Sequence, residues 1–364
     1  MKISTIVNQL EELAPISLQE SYDNAGLLVG NVEAEVNAAL LCLDSTEDVI
    51  EEAIEKKCGL VIAHHPILFS GIKSLTGKNY IERTLLKAIK NDIAIYAIHT
   101  NLDNVKHGVN QKIAEKIGLQ NLQVLSPKSG TLNKLVFFCP VSASENVKAA
   151  LFEAGAGAIG AYDCCSFSSE GEGTFRAGTD AQPHVGKIGE LHREKENRIE
   201  LLFPEYLKSV LIKTLKKTHP YEEVAYDIYN LENKWTEVGS GMLGELSEPV
   251  DTLAFLDRVK IDLGTDCIRH TKVITEQVQR VAICGGSGSF LLNNAIAQRA
   301  DVFITGDYKY HQFFDADGKI VIADVGHFES EQHTPELIQE YLQEKIPNFA
   351  TYLSKVNTNP INYR

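Results

Sequence analysis

Gly59-Leu60-Val61-Ile62-Ala63-His64-His65-Pro66 is a short apolar run that ends in two imidazoles and a proline. The apolar residues predict a buried strand, and Pro66 stops it. On a regular strand, neighbouring side chains point to opposite faces. Where the strand gives way to a turn, both can converge on one point. That suits a metal site better than a core position. Upstream, Ala39 to Leu43 reads as a strand ending at Asp44, and Ser45 or Thr46 caps a helix running to about Lys57. Strand, helix and strand in this order predict a parallel pair with a right-handed crossover. Downstream, a loop at Gly71–Gly77 leads to a helix over about Tyr80 to Lys90. A third buried strand, Ile93 to Ile98, ends in His99-Thr100-Asn101-Leu102-Asp103. A helix from about Gly108 to Lys116 follows, with Gly118 as its stop.

At the N-terminus, Ile3, Ile6, Val7, Leu10 and Leu13 mark one face of a helix that ends before Pro15. Tyr22-Asp23-Asn24-Ala25-Gly26 suggests a tight turn entering a strand. From about Thr131 the pattern changes. Strand (Leu135 to Val141), helix (Ser144 to Glu153), two strand-like runs, helix (Tyr206 to Lys217) and strand (Glu223 to Tyr229) follow the ferredoxin-like order. The Gly171–Gly178 stretch between those runs lacks a following Gly-Lys-Ser/Thr and reads as a polar hairpin. The outer pattern resumes near Met242. Arg280 to Cys284 is a strand. Gly285-Gly286-Ser287-Gly288-Ser289-Phe290 follows, then a helix through about Gln298. Such a turn could hold a phosphate on helix N–H groups. Val302 to Thr305 ends in Gly306-Asp307, and Ile320 to Ala323 ends in Asp324-Val325-Gly326-His327-Phe328-Glu329-Ser330-Glu331. Thr334-Pro335 starts a terminal helix, and Thr351 to Val356 is a last strand. This half repeats the logic of the first. The expected fold is α/β: a duplicated three-layer α/β/α domain built from 1–131 plus 239–364, with a ferredoxin-like α+β domain inserted over 132–238.

The chain has 364 residues, 23% of them charged, and a net charge of −14. That balance argues against a nucleic-acid surface, which needs a basic patch. No apolar run approaches the roughly 18–20 residues that span a bilayer, so no membrane partner is expected. The N-terminus does not read as a signal peptide, and the expected location is cytoplasmic. Seven cysteines without a Cys-x-x-Cys pair do not form a disulfide framework.

In a parallel sheet, ligands bind beyond the carboxyl ends of the strands. His64, His65, Asp103 and His327 all follow expected strand ends, and Glu331 lies one helical turn after His327. Three imidazoles and two carboxylates exceed what one tetrahedral zinc requires. They suit two divalent ions with one carboxylate bridging them. Mixed nitrogen and oxygen ligation fits zinc, iron, manganese or cobalt. His99, His311 and Asp307 also follow strand ends, as candidates to orient ligands or move protons.

Taken together, Asp23-Asn24-Ala25-Gly26-Leu27, His64-His65-Pro66-Ile67-Leu68-Phe69, His99-Thr100-Asn101-Leu102-Asp103, Thr305-Gly306-Asp307 with Tyr310-His311, and Gly326-His327-Phe328-Glu329-Ser330-Glu331 carry a family resemblance. The chain resembles the GTP cyclohydrolase 1 type 2 homologue family, also called NIF-three-like, in its longer bacterial form. The resemblance implies dinuclear metal ligands at His64, His65, Asp103, His327 and Glu331, with the glutamate as the bridge. Gly173-Thr174-Phe175-Arg176 and His219-Pro220-Tyr221-Glu222-Glu223 make the middle segment similar to PII and CutA-type modules. The family also implies a ring-shaped homohexamer with its metal sites facing an interior cavity. Its name implies attack of a metal-activated water on the purine ring of GTP, although the same chemistry permits phosphoester or amide hydrolysis. The expected function is a dinuclear metal-dependent hydrolase of a nucleotide-like or phosphorylated small molecule. The alternative is a non-catalytic metal-binding or regulatory protein whose inserted domain senses a ligand.

Overall fold

A computed structural model describes residues 1–364. The chain divides into two compact units, Met1–Ser126 with Glu237–Arg364, and Pro127–Thr236.

The first unit is built on two sheets. One has the order Gly26–Val29, Ala94–Ala97, Leu60–Ala63, Ala38–Cys42, Ala350–Leu353. Its last four strands are parallel, and Gly26–Val29 runs antiparallel. The other has the order Arg269–His270, Val321–Asp324, Val302–Gly306, Gln277–Ser287, Trp235–Asp251, Gln120–Lys128. Its three middle parallel strands are flanked by antiparallel ones. The parallel strands are apolar throughout because both of their faces are covered. Leu60 and Ile62 enter one core, and Val61 and Ala63 enter another. In the second sheet, Val302 and Ile304 share the core of Leu60 and Ile62, while Phe303 faces away. Helices Ile3–Leu13, Val109–Lys116, Thr252–Asp262 and Thr334–Lys345 fill that shared core, through Leu10, Ile113, Phe255 and Ile338 among others. A single helical layer therefore serves both sheets. Each fully buried aliphatic side chain in it contributes about 1.5–3 kcal/mol by leaving water.

Local signals set the helix starts. Thr46 caps Glu47–Glu55 by accepting from the Val49 N–H at 3.3 Å. Asn79 caps Tyr80–Lys90 through the Glu82 N–H at 2.9 Å. The structure adds to the sequence reading the helix Thr252–Asp262 and the strand Arg269–His270, and refines it elsewhere. The helix after the glycine-rich turn is short: a 3-10 turn, Ser289–Leu291, followed by Leu292–Ala297. The edge strand Gln120–Lys128 went unread, because only Val124 and Leu125 in it are buried. The polar hairpin read at Gly171–Gly178 is present as the antiparallel pair Ser166–Arg176 and Leu191–Pro204, with Gly171 and Gly173 inside its first strand, paired with Glu196 and Glu194.

The second unit holds a four-stranded antiparallel sheet, ordered Ser166–Arg176, Leu191–Pro204, Leu132–Pro140, Tyr226–Asn230. Helices Ser144–Glu153 and Lys208–Thr218 pack on it through Val147, Leu151, Leu211 and Leu215. No helix of the chain is long and apolar enough to cross a membrane.

Candidate metal centre

The ladder of the first sheet continues past its strand. The His64 N–H donates to the Cys42 carbonyl at 3.1 Å, and the His65 N–H to the Leu43 carbonyl at 2.9 Å. Only then does the chain turn. The His64 side chain is fully buried, with Nδ1 2.8 Å from the Ile98 carbonyl. A carbonyl only accepts, so Nδ1 carries the proton and Nε2 presents its lone pair. Burial holds the His64 pKa below its ordinary value, which keeps the ring neutral. His65 Nδ1 meets Asp44 Oδ1 at 2.7 Å, and its Nε2 meets Glu331 Oε2 at 3.0 Å. Burial opposes its charge, but the carboxylates of Asp44 and Glu331 prevail and push its pKa up to about 9.

The second sheet supplies the other donors. Asp324 Oδ1 accepts from the Gly326 N–H at 3.0 Å, and Oδ2 from the Tyr308 N–H at 3.0 Å, which fixes the turn leading to the helix His327–Glu331. His327 Nδ1 lies 2.7 Å from Asp307 Oδ2, and its Nε2 lies 3.1 Å from Glu331 Oε2. Here too burial works against the cation, and Asp307 and Glu331 outweigh it, raising the pKa to about 11. Glu331 is buried, yet contacts with His327, His64 and His65 hold its carboxyl well below the usual range. Burial, and then the charge of Glu331, push Asp103 well above it.

Three groups of donor atoms lie within 4.8 Å of one another: His64, Asp103 and Glu331; His65, His327 and Glu331; His64, His65 and His99. His64 Nε2 is 3.6 Å from Asp103 Oδ1 and 3.8 Å from Glu331 Oε2. Both His64 Nε2 and Asp103 Oδ1 are buried without a hydrogen-bond partner. Two buried polar atoms left unpaired are costly unless something binds them. His65 and His327 bring their Nε2 atoms to 3.3 Å, with each Nδ1 already held by a carboxylate. Both Nε2 atoms also face Glu331 Oε2, at 3.0 and 3.1 Å, so a cation that displaced their protons would meet two imidazoles and a carboxylate. On both counts the residues fit a metal ion.

Glycine makes the room. Gly286 has φ +59°, and a Cβ there would lie 2.5 Å from Glu331 Oε1 and 3.2 Å from His327 Cε1. The glycine-rich turn is thus a seat for the carboxylate. Its N–H groups are engaged: Gly285 donates to Asn110 Oδ1, Gly286 to Ser330 Oγ and Gly288 to Thr305 Oγ1, each at 2.9 Å. These three glycine N–H groups are therefore not open to the phosphate expected at this turn.

His99 joins the cluster, with its ring centroid 5.3 Å from those of His64 and His65. Its Nδ1 is held by Asp23 Oδ1 at 2.8 Å, while Asp23 Oδ2 accepts from the Thr100 N–H at 3.0 Å and from the Thr100 hydroxyl. Burial opposes the Asp23 charge, and the hydrogen bonds of His99 and Thr100 overcome it, lowering its pKa to about 2. The turn at Asp23 is therefore part of the site's support. His311 is not brought in. It sits exposed on the 3-10 helix Tyr310–Ala316, beside Tyr310 and Phe314, and does not line the cavity. Sequence reasoning missed Asp44 as the partner of His65, although a carboxylate at a strand end was the available signal. It also missed Thr358, whose hydroxyl donates to Asp44 Oδ2 at 2.6 Å from a C-terminal segment with no motif.

Residues 1–360 match the family model Duf34/NIF3 (NGG1p interacting factor 3). A Halalkalibacterium halodurans protein described as "GTP cyclohydrolase 1 type 2 homolog" is 38% identical over 372 residues, covering 100% of both chains. A Bacillus subtilis protein of the same description is 36% identical, covering 98% of this chain and 97% of its own. Among solved structures, a Bacillus cereus protein related to NIF3 matches at 38% identity and a TM-score of 0.87, over 100% of this chain and 99% of that one. A Staphylococcus aureus protein matches at 31% identity and 0.79, with the same coverage. The chain, with the sheets and strand-end cluster described above, belongs to the Duf34/NIF3 family.

Proposed function

We propose that the cluster holds two divalent metal ions and that the protein is a metal-dependent hydrolase. The observation that carries this reading is the position of Glu331. Its Oε2 faces His65 and His327 at 3.0 and 3.1 Å and His64 at 3.8 Å, so one carboxylate serves two donor groups. In this reading His64 and Asp103 would hold one ion, His65 and His327 would hold the other, and Glu331 would serve both. The adjacent rings of His64 and His65 then serve different ions. Zinc, iron, manganese and cobalt all fit the donors. Such ions, when bound, supply Lewis acidity and an activated water. The protein's own groups do the rest. The Ile98 carbonyl, Asp44 and Asp307 fix the tautomers and aim each Nε2 inward. His99, oriented by Asp23, is placed to hold or release a proton at its free nitrogen.

The description of the relatives points to attack on a purine ring, and GTP is the first substrate to try. Metal analysis of protein purified without added metal, with turnover of GTP and a phosphoester panel beside Glu331→Ala, tests the reading. Two ions per chain and turnover lost in the variant are expected. No turnover by metal-loaded protein would favour a metal-handling regulator, with Pro127–Thr236 as its sensor.

Three structural readings accompany this proposal. The parallel strands of the two sheets, four in one and three in the other, each set with ligands at its carboxyl ends, support a duplicated α/β/α origin. The strand–helix–strand–strand–helix–strand sequence of the second unit supports a ferredoxin-like insertion. The family resemblance supports a homohexamer, and light scattering should then give six times the 40.2 kDa chain mass.

A further inference from the structure

The cavity over the cluster has a volume of about 760 Å³, enough for a small organic molecule. Apart from the imidazoles of His65, His99 and His327, its charged side chains are all of one sign. Glu20, Asp44, Asp103, Asp307 and Glu331 line it, and neither lysine nor arginine does. Metal ions apart, sites for polyphosphates are built from Lys, Arg and free backbone N–H groups at glycine-rich turns. The one such turn here, Gly285–Gly288, has its glycine N–H groups taken by Asn110, Ser330 and Thr305. Elsewhere the wall is aromatic. Tyr22, Phe69, Tyr80 and Phe290 line the cavity and stay 68, 57, 57 and 65% exposed. Phe69 also stands edge-on to His99, with centroids 5.8 Å apart. Flat apolar faces beside carboxylates recognise flat molecules that carry N–H donors and little negative charge.

We infer that this cavity takes an uncharged or cationic planar nitrogen heterocycle, of nucleobase or nucleoside size, and disfavours the triphosphate of the same molecule. The inference rests on the hydrolase reading for the fate of the heterocycle, and on the cavity wall alone for its binding. It narrows the GTP-like expectation to the ring that would be opened.

Matched pairs isolate the charge. Calorimetric titration of the full chain with guanosine and GTP, and with adenosine and ATP, is to be run on metal-loaded and on chelator-treated protein. At least one nucleoside should bind about tenfold or more tighter than its triphosphate in chelator-treated protein, where the cavity wall acts alone. Phe290→Ala should weaken that nucleoside by about tenfold, the scale of one base–aromatic stack, with metal content unchanged. A triphosphate that binds as tightly as its nucleoside in chelator-treated protein overturns the inference. So does the absence of nucleoside binding in both states, or a Phe290→Ala variant with undiminished affinity. Metal content is read separately. A chain that takes up no metal yet prefers the nucleoside sinks the hydrolase reading and leaves this one standing.

Discussion

His64 and His65 are neighbours in the chain, yet they are held by different means. His64 is sealed in the core and leans on a neutral backbone carbonyl, and its nearest carboxylate, Asp103, is another donor of the cluster. His65 leans on Asp44, as His327 leans on Asp307. A carboxylate behind an imidazole makes it a more basic ligand than a carbonyl does. The two halves of the cluster therefore differ in kind. One is a preformed pocket of unpaired atoms, and the other is a pair of imidazoles tuned by anions. Burial sets the first, and charge sets the second.

The largest effect should come from the residue common to both halves. Glu331→Ala should cost more than about 100-fold in metal affinity and drop the content towards zero, since a ligand matters more than its support. Retention of both ions would mean that the halves are independent. Removing one support separates them. Asp44→Asn or Asp307→Asn should weaken one ion by about 10–100-fold, leaving the His64–Asp103 half loaded under chelator competition. Equal loss of both ions would erase the distinction.

A smaller effect is expected further out. Thr358→Val deprives Asp44 of one hydrogen bond and should weaken the same ion by only about threefold, with Thr358→Ser restoring it. Equal behaviour of the valine and serine variants would remove the hydroxyl from the account.

The last variant should leave the metal alone. Glu82 is buried, and its Oε2 accepts from the Thr76, Gly77 and Lys78 N–H groups and the Thr76 hydroxyl at 2.8 to 3.2 Å. These bonds, the Thr76 N–H foremost, lower its pKa from 4.5 to about 2. A depressed carboxyl stabilises the fold above its unfolded pKa, and that contribution is lost as pH falls through the folded one. The stability gap between wild type and Glu82→Gln, read by urea unfolding, should be full above about pH 4.5 and fade towards pH 2. A gap that persists at pH 2 would mean that the side chain acts by shape.

Much of this was legible in the chain itself. Apolar runs such as Leu60–Ala63 and Val302–Gly306 announce strands covered on both faces, and the polar residues just past them announce a crevice. The spacing of His327 and Glu331 announces a shared helix face. Other features were not legible. The glycine-rich turn looks like an anion cradle until Asn110, Ser330 and Thr305 arrive from distant segments and occupy its N–H groups. His311 follows a strand end like the others, but a 3-10 turn carries it away from the cavity. Thr358 had no local pattern at all, because its meaning lies in a partner 314 positions away. Long-range pairing of polar groups leaves no periodic trace in sequence.

The contact between His65 and Glu331 closes a loop of 266 positions. At a synthesis rate of 5–20 residues per second, Glu331 follows His65 from the ribosome after roughly 15 to 50 s. For that interval the first three imidazoles of the cluster exist without their shared carboxylate. Of the three donor groups, only that of His64, His65 and His99 can be complete before Glu331 is made.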